Sequence, residues 1–169
     1  MFELLRCPSI SIENLSKYLE YSNKCQQYSN FGYCENLLKE KLSKALSVPI
    51  NNTCLGSSAT SLLEIACSAL MEQKSITGNF YFPVFSFFST FSIASRIQKN
   101  ITWFDVNPVS FLPKINTEIR ECDLLYMNIP FGQSSKIDEF FLYAKKLPCF
   151  VIIDAAACLP GLIFKKNTA

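Results

Sequence analysis

The sequence predicts an α/β fold with a mostly parallel sheet and flanking helices. Two observations carry this. Short apolar runs that end on a polar residue or a proline ("NFYFP", "ITWFD", "DLLYMN", "CFVIID") alternate with longer amphipathic stretches. The runs are also apolar at consecutive positions, as strands covered on both faces are, and the links between elements are short.

In chain order, residues 12–21 read as a short helix, and Asn30, Phe31 and Gly32 as a turn. "CENLLKEKLSKAL", 34–46, repeats Leu37, Leu38, Leu42 and Leu46 at helical spacing, and Pro49, Asn51 and Asn52 break it. A short strand at Thr53–Leu55 leads into a helix on which Ser61 and Glu64 have capping-box spacing and Leu62, Ala66, Ala69 and Leu70 share a face. Next come a strand over 79–83 and a helix in "SFFSTFSIASRIQ". A strand over 101–105 and a loop marked by Pro108 and Pro113 follow. A strand over 123–128, a turn at Pro130 and Gly132, and a helix in "SKIDEFFLYAKKL" lead to the last strand, 149–154. In that helix Ile137, Phe140, Phe141 and Ala144 are expected to face inward.

Composition narrows the function. The chain has 169 residues, 49% of them hydrophobic, which suits one packed domain and argues against disorder. Net charge is +2 with the basic residues scattered, so nothing suggests a nucleic-acid partner. Histidine is absent, which excludes Ser-His and Cys-His catalysis and His metal ligands from this chain. The eight cysteines include no C-x-x-C pair, which argues against a zinc site, and several lie in apolar runs. Reduced thiols in a cytoplasm are the expectation. The amino terminus has no secretory pattern. Residues 75–95 are uncharged and long enough to span a bilayer, but Gly78, Asn79, Pro83 and many hydroxyls favour a strand, a turn and a helix instead.

Three features fall at the carboxyl ends of predicted strands, where such sheets bind ligands. "LGSSATS", 55–61, runs into a helix start, where free N–H groups with Ser57, Ser58 and Thr60 form a phosphate cradle or an ordinary N-cap. It lacks the lysine of a P-loop. Phe85, Phe87 and Phe88 stack on a planar ring or pack in the core. Asp154 pairs with a buried cation or is solvated at a strand end, and Asp105 has the same form. Together an anion cradle, a flat aromatic and a carboxylate match pyridoxal phosphate, whose ring nitrogen a carboxylate keeps protonated.

The ordered stretches "SNFGYCENLLKEKLSKAL", "SSATSLLEIACSAL", "FPVFSFFSTFSIASRI", "ITWFDVNP", "MNIPFGQSSKIDEF" and "VIIDAAACLPG" resemble the front part of the DegT/DnrJ/EryC1/StrS aminotransferases, over roughly residues 8–162. The resemblance implies the aspartate-aminotransferase (type I) fold, with 1–48 as an N-terminal helical segment and 49–169 as an incomplete large domain. It implies pyridoxal phosphate as cofactor, an amino donor such as glutamate, a nucleotide-linked keto-deoxysugar as acceptor, and a cytoplasmic homodimer. By position, Ser58, Ala59 and Thr60 match the phosphate turn, Phe87 the ring-stacking aromatic, and Asp154 the partner of the pyridine nitrogen. Asn30, Phe31 and Gly32 match a turn near the substrate entrance. Three positions depart from the pattern: Ala59 replaces the turn glycine, Ala157 a Gln or His, and Pro160 a glycine. The family's Schiff-base lysine lies further along than Ala169, and Lys165 and Lys166 stand too early to match it. The expectation is an amino-terminal part that is inactive alone, with a non-catalytic interaction module of the same descent as the alternative.

Overall fold

The computed structural model describes residues 9–72, 76–97 and 100–159. Pro160, Lys165 and Lys166 lie outside them. The chain divides into two units, Met1–Leu55 and Gly56–Ala169.

The first unit holds helices α1 (Ile12–Cys25) and α2 (Tyr33–Leu46). Ser11 caps α1 by accepting from the Asn14 amide. The helix runs four residues past its expected end because nothing in "SNKC" breaks it, and Gln26 closes it in the left-handed region at φ 48°. Tyr21 stacks on Tyr33 with ring centroids 4.4 Å apart, which joins the two helices. The turn at Asn30, Phe31 and Gly32 forms as expected. The Phe31 amide donates to Glu35 Oε2 at 2.7 Å, and Asn36 Nδ2 donates to the Phe31 carbonyl. A Cβ on Gly32 would sit 2.9 Å from the Ser29 carbonyl oxygen, so the turn needs glycine there. The expected strand at Thr53–Leu55 is absent: a single 3-10 turn, Ile50–Asn52, precedes it, and no described strand pairs with it. A strand without a partner cannot satisfy its backbone.

Among the described residues the second unit forms a five-stranded mixed sheet, dominated by parallel pairs, with helices on both faces. Its helices are α3 (Ala59–Glu72), α4 (Phe88–Arg96) and α5 (Ile137–Ala144). Its strands are β1 (Phe80–Pro83), β2 (Ile101–Val106), β3 (Pro113–Lys114), β4 (Leu124–Asn128) and β5 (Phe150–Asp154), in the order β3-β2-β1-β4-β5. Only β3 is antiparallel to its neighbour.

Strand alternation sorts the apolar runs into two cores. Phe80, Phe82, Leu124 and Tyr126 pack with Leu63 and Cys67 of α3 and Ile93 and Ala94 of α4. Tyr81, Leu125 and Met127 pack with Ile137 and Phe140 of α5 on the other face. This is why "FYFP" and "LLYM" are apolar throughout.

Three sequence expectations shift here. The buried residues of α3 are Leu63 and Cys67, and Ala69 is exposed, so the helix is turned from the expected face. Phe141 of α5 is half exposed, because Phe140 already fills the core. Strand β5 is half-buried along its length, since among the described strands it lies at the sheet edge.

At the amino-terminal edge of the sheet sits Asp123, fully buried. Its carboxylate accepts from the Asn79 amide and the Arg120 amide, each at 2.8 Å, and from Arg120 Nη2 at 3.5 Å. It therefore ties the start of β1 to the start of β4. Gly78 makes room for it: a Cβ there would collide with Asp123 Oδ1.

Burial also sets a pH response. The Cys67 thiol, 1% exposed, is pushed up to about 11 from its ordinary 9.0 by desolvation. Above the ordinary value the unfolded chain loses a proton that the folded chain keeps. Stability from this group is therefore full below about pH 9 and is lost as pH rises through about 11, a change of about 3 kcal/mol. Burial pushes the thiols of Cys149 and Cys158 and the Tyr143 hydroxyl the same way. The urea midpoint is expected to fall steeply between about pH 9 and about pH 11, and less steeply in Cys67→Ala. Equal slopes in both chains would contradict this.

Candidate active site

The carboxyl ends of β1, β4 and β5 and the start of α3 enclose a cavity of about 520 Å³ within the second unit. Ala59, Thr60, Phe85, Ser86, Phe87, Asn128 and Asp154 are among its lining residues.

Helix α3 begins at Ala59, directly after Ser58. The Ser61 amide donates to Ser58 Oγ, and the Ser58 amide donates to Ser61 Oγ, both at 3.2 Å. This is a reciprocal cap with serine in the role usually taken by glutamate. It replaces the expected Ser61–Glu64 box, and Glu64 instead forms an ion pair with Arg96 of α4. The Leu62 amide donates to the Ser58 carbonyl. The amides of Ala59 and Thr60 then have no acceptor among the described residues, and both residues line the cavity. Two free N–H groups at a helix start are what an anion needs. Ser58 itself works as the cap and does not line the cavity. Ala59 is helical, so the glycine expected there is not required by a positive φ.

Phe87 precedes α4 and is 74% exposed while lining the cavity, which excludes the core-packing reading of that ring. Phe85 lies 6.2 Å from Phe111 and 6.0 Å from Phe131 between ring centroids, an aromatic group beside the cavity. Phe111 and Phe131 have φ of 61° and 57°, a conformation that side chains rarely adopt.

Asp154 ends β5, opposite Asn128 of β4. Its Oδ1 accepts from the Ala156 amide at 3.0 Å, and its Oδ2 accepts from Tyr126 Oη at 2.7 Å. A carboxylate has acceptor positions for more than two donors, so Asp154 keeps capacity toward the cavity. Burial, and then the charge of Asp154, hold the Tyr126 hydroxyl well above its ordinary range, so it remains a donor. Tyr126, Thr90 and Ser86 were not singled out from sequence. The only signal available was a tyrosine inside an apolar strand and hydroxyls four residues apart on a helix start.

Asp105 takes no part: it is exposed, accepts from the Val106 amide, and does not line the cavity. Asn30, Phe31 and Gly32 belong to the first unit, whereas the cavity is built wholly from second-unit residues. Among the described residues no cluster of Cys, Asp and Glu could hold a metal ion, and no helix is long and apolar enough to cross a membrane.

No protein-family profile matches the chain, and no curated protein matches it. A solved structure from Burkholderia pseudomallei, described as "a putative aminotransferase", is similar in fold. The TM-score is 0.56 at 13% identity, over 86% of this chain and 44% of that one. The fold is thus aminotransferase-like, and the chain spans less than half the length of the structure it matches.

Proposed function

We propose that this chain forms the cofactor-binding layer of a pyridoxal-phosphate-dependent aminotransferase of the DegT/DnrJ/EryC1/StrS type, one that aminates a nucleotide-linked keto-deoxysugar. One observation carries the reading: Ala59, Thr60, Phe87 and Asp154, chosen from sequence, all line a single cavity. The residues suit the group. The free amides of Ala59 and Thr60, with the Thr60 hydroxyl, would hold its phosphate at the start of α3. The exposed ring of Phe87 would cover one face. Asp154, aligned by Tyr126, would keep a proton on the ring nitrogen. When bound, pyridoxal phosphate supplies an electron sink for moving an amino group. Glutamate as donor, a homodimer and a cytoplasmic setting complete the proposal, with neither nucleic acid nor membrane as partner.

A second reading, a non-catalytic interaction module of the same descent, is favoured by one observation. Among the described residues no lysine lines the cavity, and Ala157 supplies no polar side chain there.

Ala59→Pro separates the readings. Proline is well tolerated at the first position of a helix, but it removes the N–H. Expected is micromolar binding of pyridoxal phosphate by the parent chain, weakened about tenfold in the variant, with an unchanged melting temperature. Equilibrium dialysis measures it. No binding by the parent chain would favour the interaction module, and unchanged affinity in the variant would remove the phosphate from this helix.

A further inference from the structure

Behind the cavity three hydroxyls and a carboxylate form an unbroken hydrogen-bond chain. Tyr126 Oη donates to Asp154 Oδ2 at 2.7 Å, Thr90 Oγ1 donates to Tyr126 Oη at 3.3 Å, and Ser86 Oγ lies 2.7 Å from Thr90 Oγ1. The two middle members, Thr90 and Tyr126, are fully buried. The two ends, Ser86 and Asp154, both line the cavity.

Proton counting gives this chain a direction. Each hydroxyl has one proton to donate, and a carboxylate only accepts. Tyr126 commits its proton to Asp154, so Thr90 must donate to Tyr126. The Thr90 proton is then committed, so in the remaining contact Ser86 must be the donor. The Ser86 oxygen therefore has only lone pairs left to offer. Successive bonds of one sense polarise each other, which strengthens each bond of the chain and makes the Ser86 oxygen a better acceptor, while Asp154 at the accepting end gains a fixed orientation. Packing does not require this arrangement. Phenylalanine and valine would fill nearly the same space at positions 126 and 90 with no buried hydroxyl to satisfy.

We propose that Tyr126 and Thr90 are positioning residues that set Asp154 and Ser86 as a matched pair of hydrogen-bond acceptors. The cavity then selects a planar ligand with an N–H donor for Asp154 and a separate O–H or N–H donor for Ser86. The ligand class rests on the pyridoxal phosphate reading.

The test uses the full chain and two probes: pyridoxal phosphate and its 1-deaza analogue, in which a C–H replaces the ring nitrogen. The parent chain is expected to prefer pyridoxal phosphate by about tenfold or more in equilibrium dialysis. Tyr126→Phe is expected to bring that ratio to about threefold or less, and Thr90→Val to lower it by a smaller factor. Ser86→Ala weakens both probes and leaves the ratio unchanged. A purely structural role for Tyr126 would weaken both probes equally, and an unchanged ratio in Tyr126→Phe overturns the proposal. Should that variant not fold, Thr90→Val decides by the same criterion. Absence of any binding by the parent chain instead removes the cofactor reading. A ligand-free readout stands apart from it: the Tyr126 hydroxyl proton should give a downfield NMR resonance that Asp154→Ala abolishes and Ser86→Ala retains. If Asp154→Ala leaves the resonance in place, the directed chain is overturned whatever the cofactor.

Discussion

Replacing Asp123 with alanine is expected to destabilise the chain by about 3–5 kcal/mol, much of what a domain of this size has. The carboxylate is fully buried and accepts three N–H groups, two of them backbone amides. Alanine would leave the Asn79 and Arg120 amides without their acceptor and open a space beside Gly78. Each orphaned amide costs about 1–3 kcal/mol. The charge partner contributes less, because the Arg120 side chain is 59% exposed and its contact is long. Arg120→Ala is therefore expected to cost under about 1 kcal/mol. Urea denaturation of both variants checks the contrast. A loss below about 1 kcal/mol in Asp123→Ala would mean that the β1 and β4 starts are held by something else.

The second large effect concerns Asp154. Asp154→Ala is expected to weaken pyridoxal phosphate binding about 100-fold, the scale of a charge-assisted hydrogen bond lost from a partly enclosed site. Stability should fall too, by about 1–3 kcal/mol, because the buried Tyr126 hydroxyl loses its acceptor. The double variant Asp154→Ala/Tyr126→Phe removes both partners, so stability should recover while affinity stays low. Affinity that recovers together with stability would show that Asp154 acts only through folding. The same substitution should let the Tyr126 hydroxyl ionise at lower pH, since the neighbouring charge helps to hold it up. Ultraviolet titration of the tyrosines measures that direction.

Much of the second unit was legible because its signals are local. "FYFP" and "LLYM" are apolar on both faces and buried, and that pattern follows from a sheet covered twice. Thr60, the aromatics Phe85, Phe87 and Phe88, and Asp154 were legible because each stands near the end of a strand or the start of a helix, whereas Ala59 and the choice of Phe87 among the aromatics follow from the family resemblance. Thr53–Leu55 misled for the opposite reason: β-propensity can suggest a strand but cannot supply a neighbour for it. Ser61 and Glu64 misled because capping-box spacing does not say which serine is the cap, and the helix begins two residues before Ser61, at Ala59, with Ser58 as its cap.

The sequence alone therefore determined the class of fold, the alternation of elements, and that none of its 169 residues can supply an imidazole. Tertiary structure decided which groups meet. Thr90 and Tyr126 are 36 residues apart, and Tyr126 and Asp154 are 28 apart. Asp123 reaches Asn79 across 44 residues. No periodicity encodes such pairs. Asp123 meets Asn79, and Tyr126 meets Asp154, because parallel strands place residues distant in sequence side by side in register, and Thr90 joins them from α4, which packs over the same sheet face. The hydroxyl chain behind the cavity exists only once that register is in place.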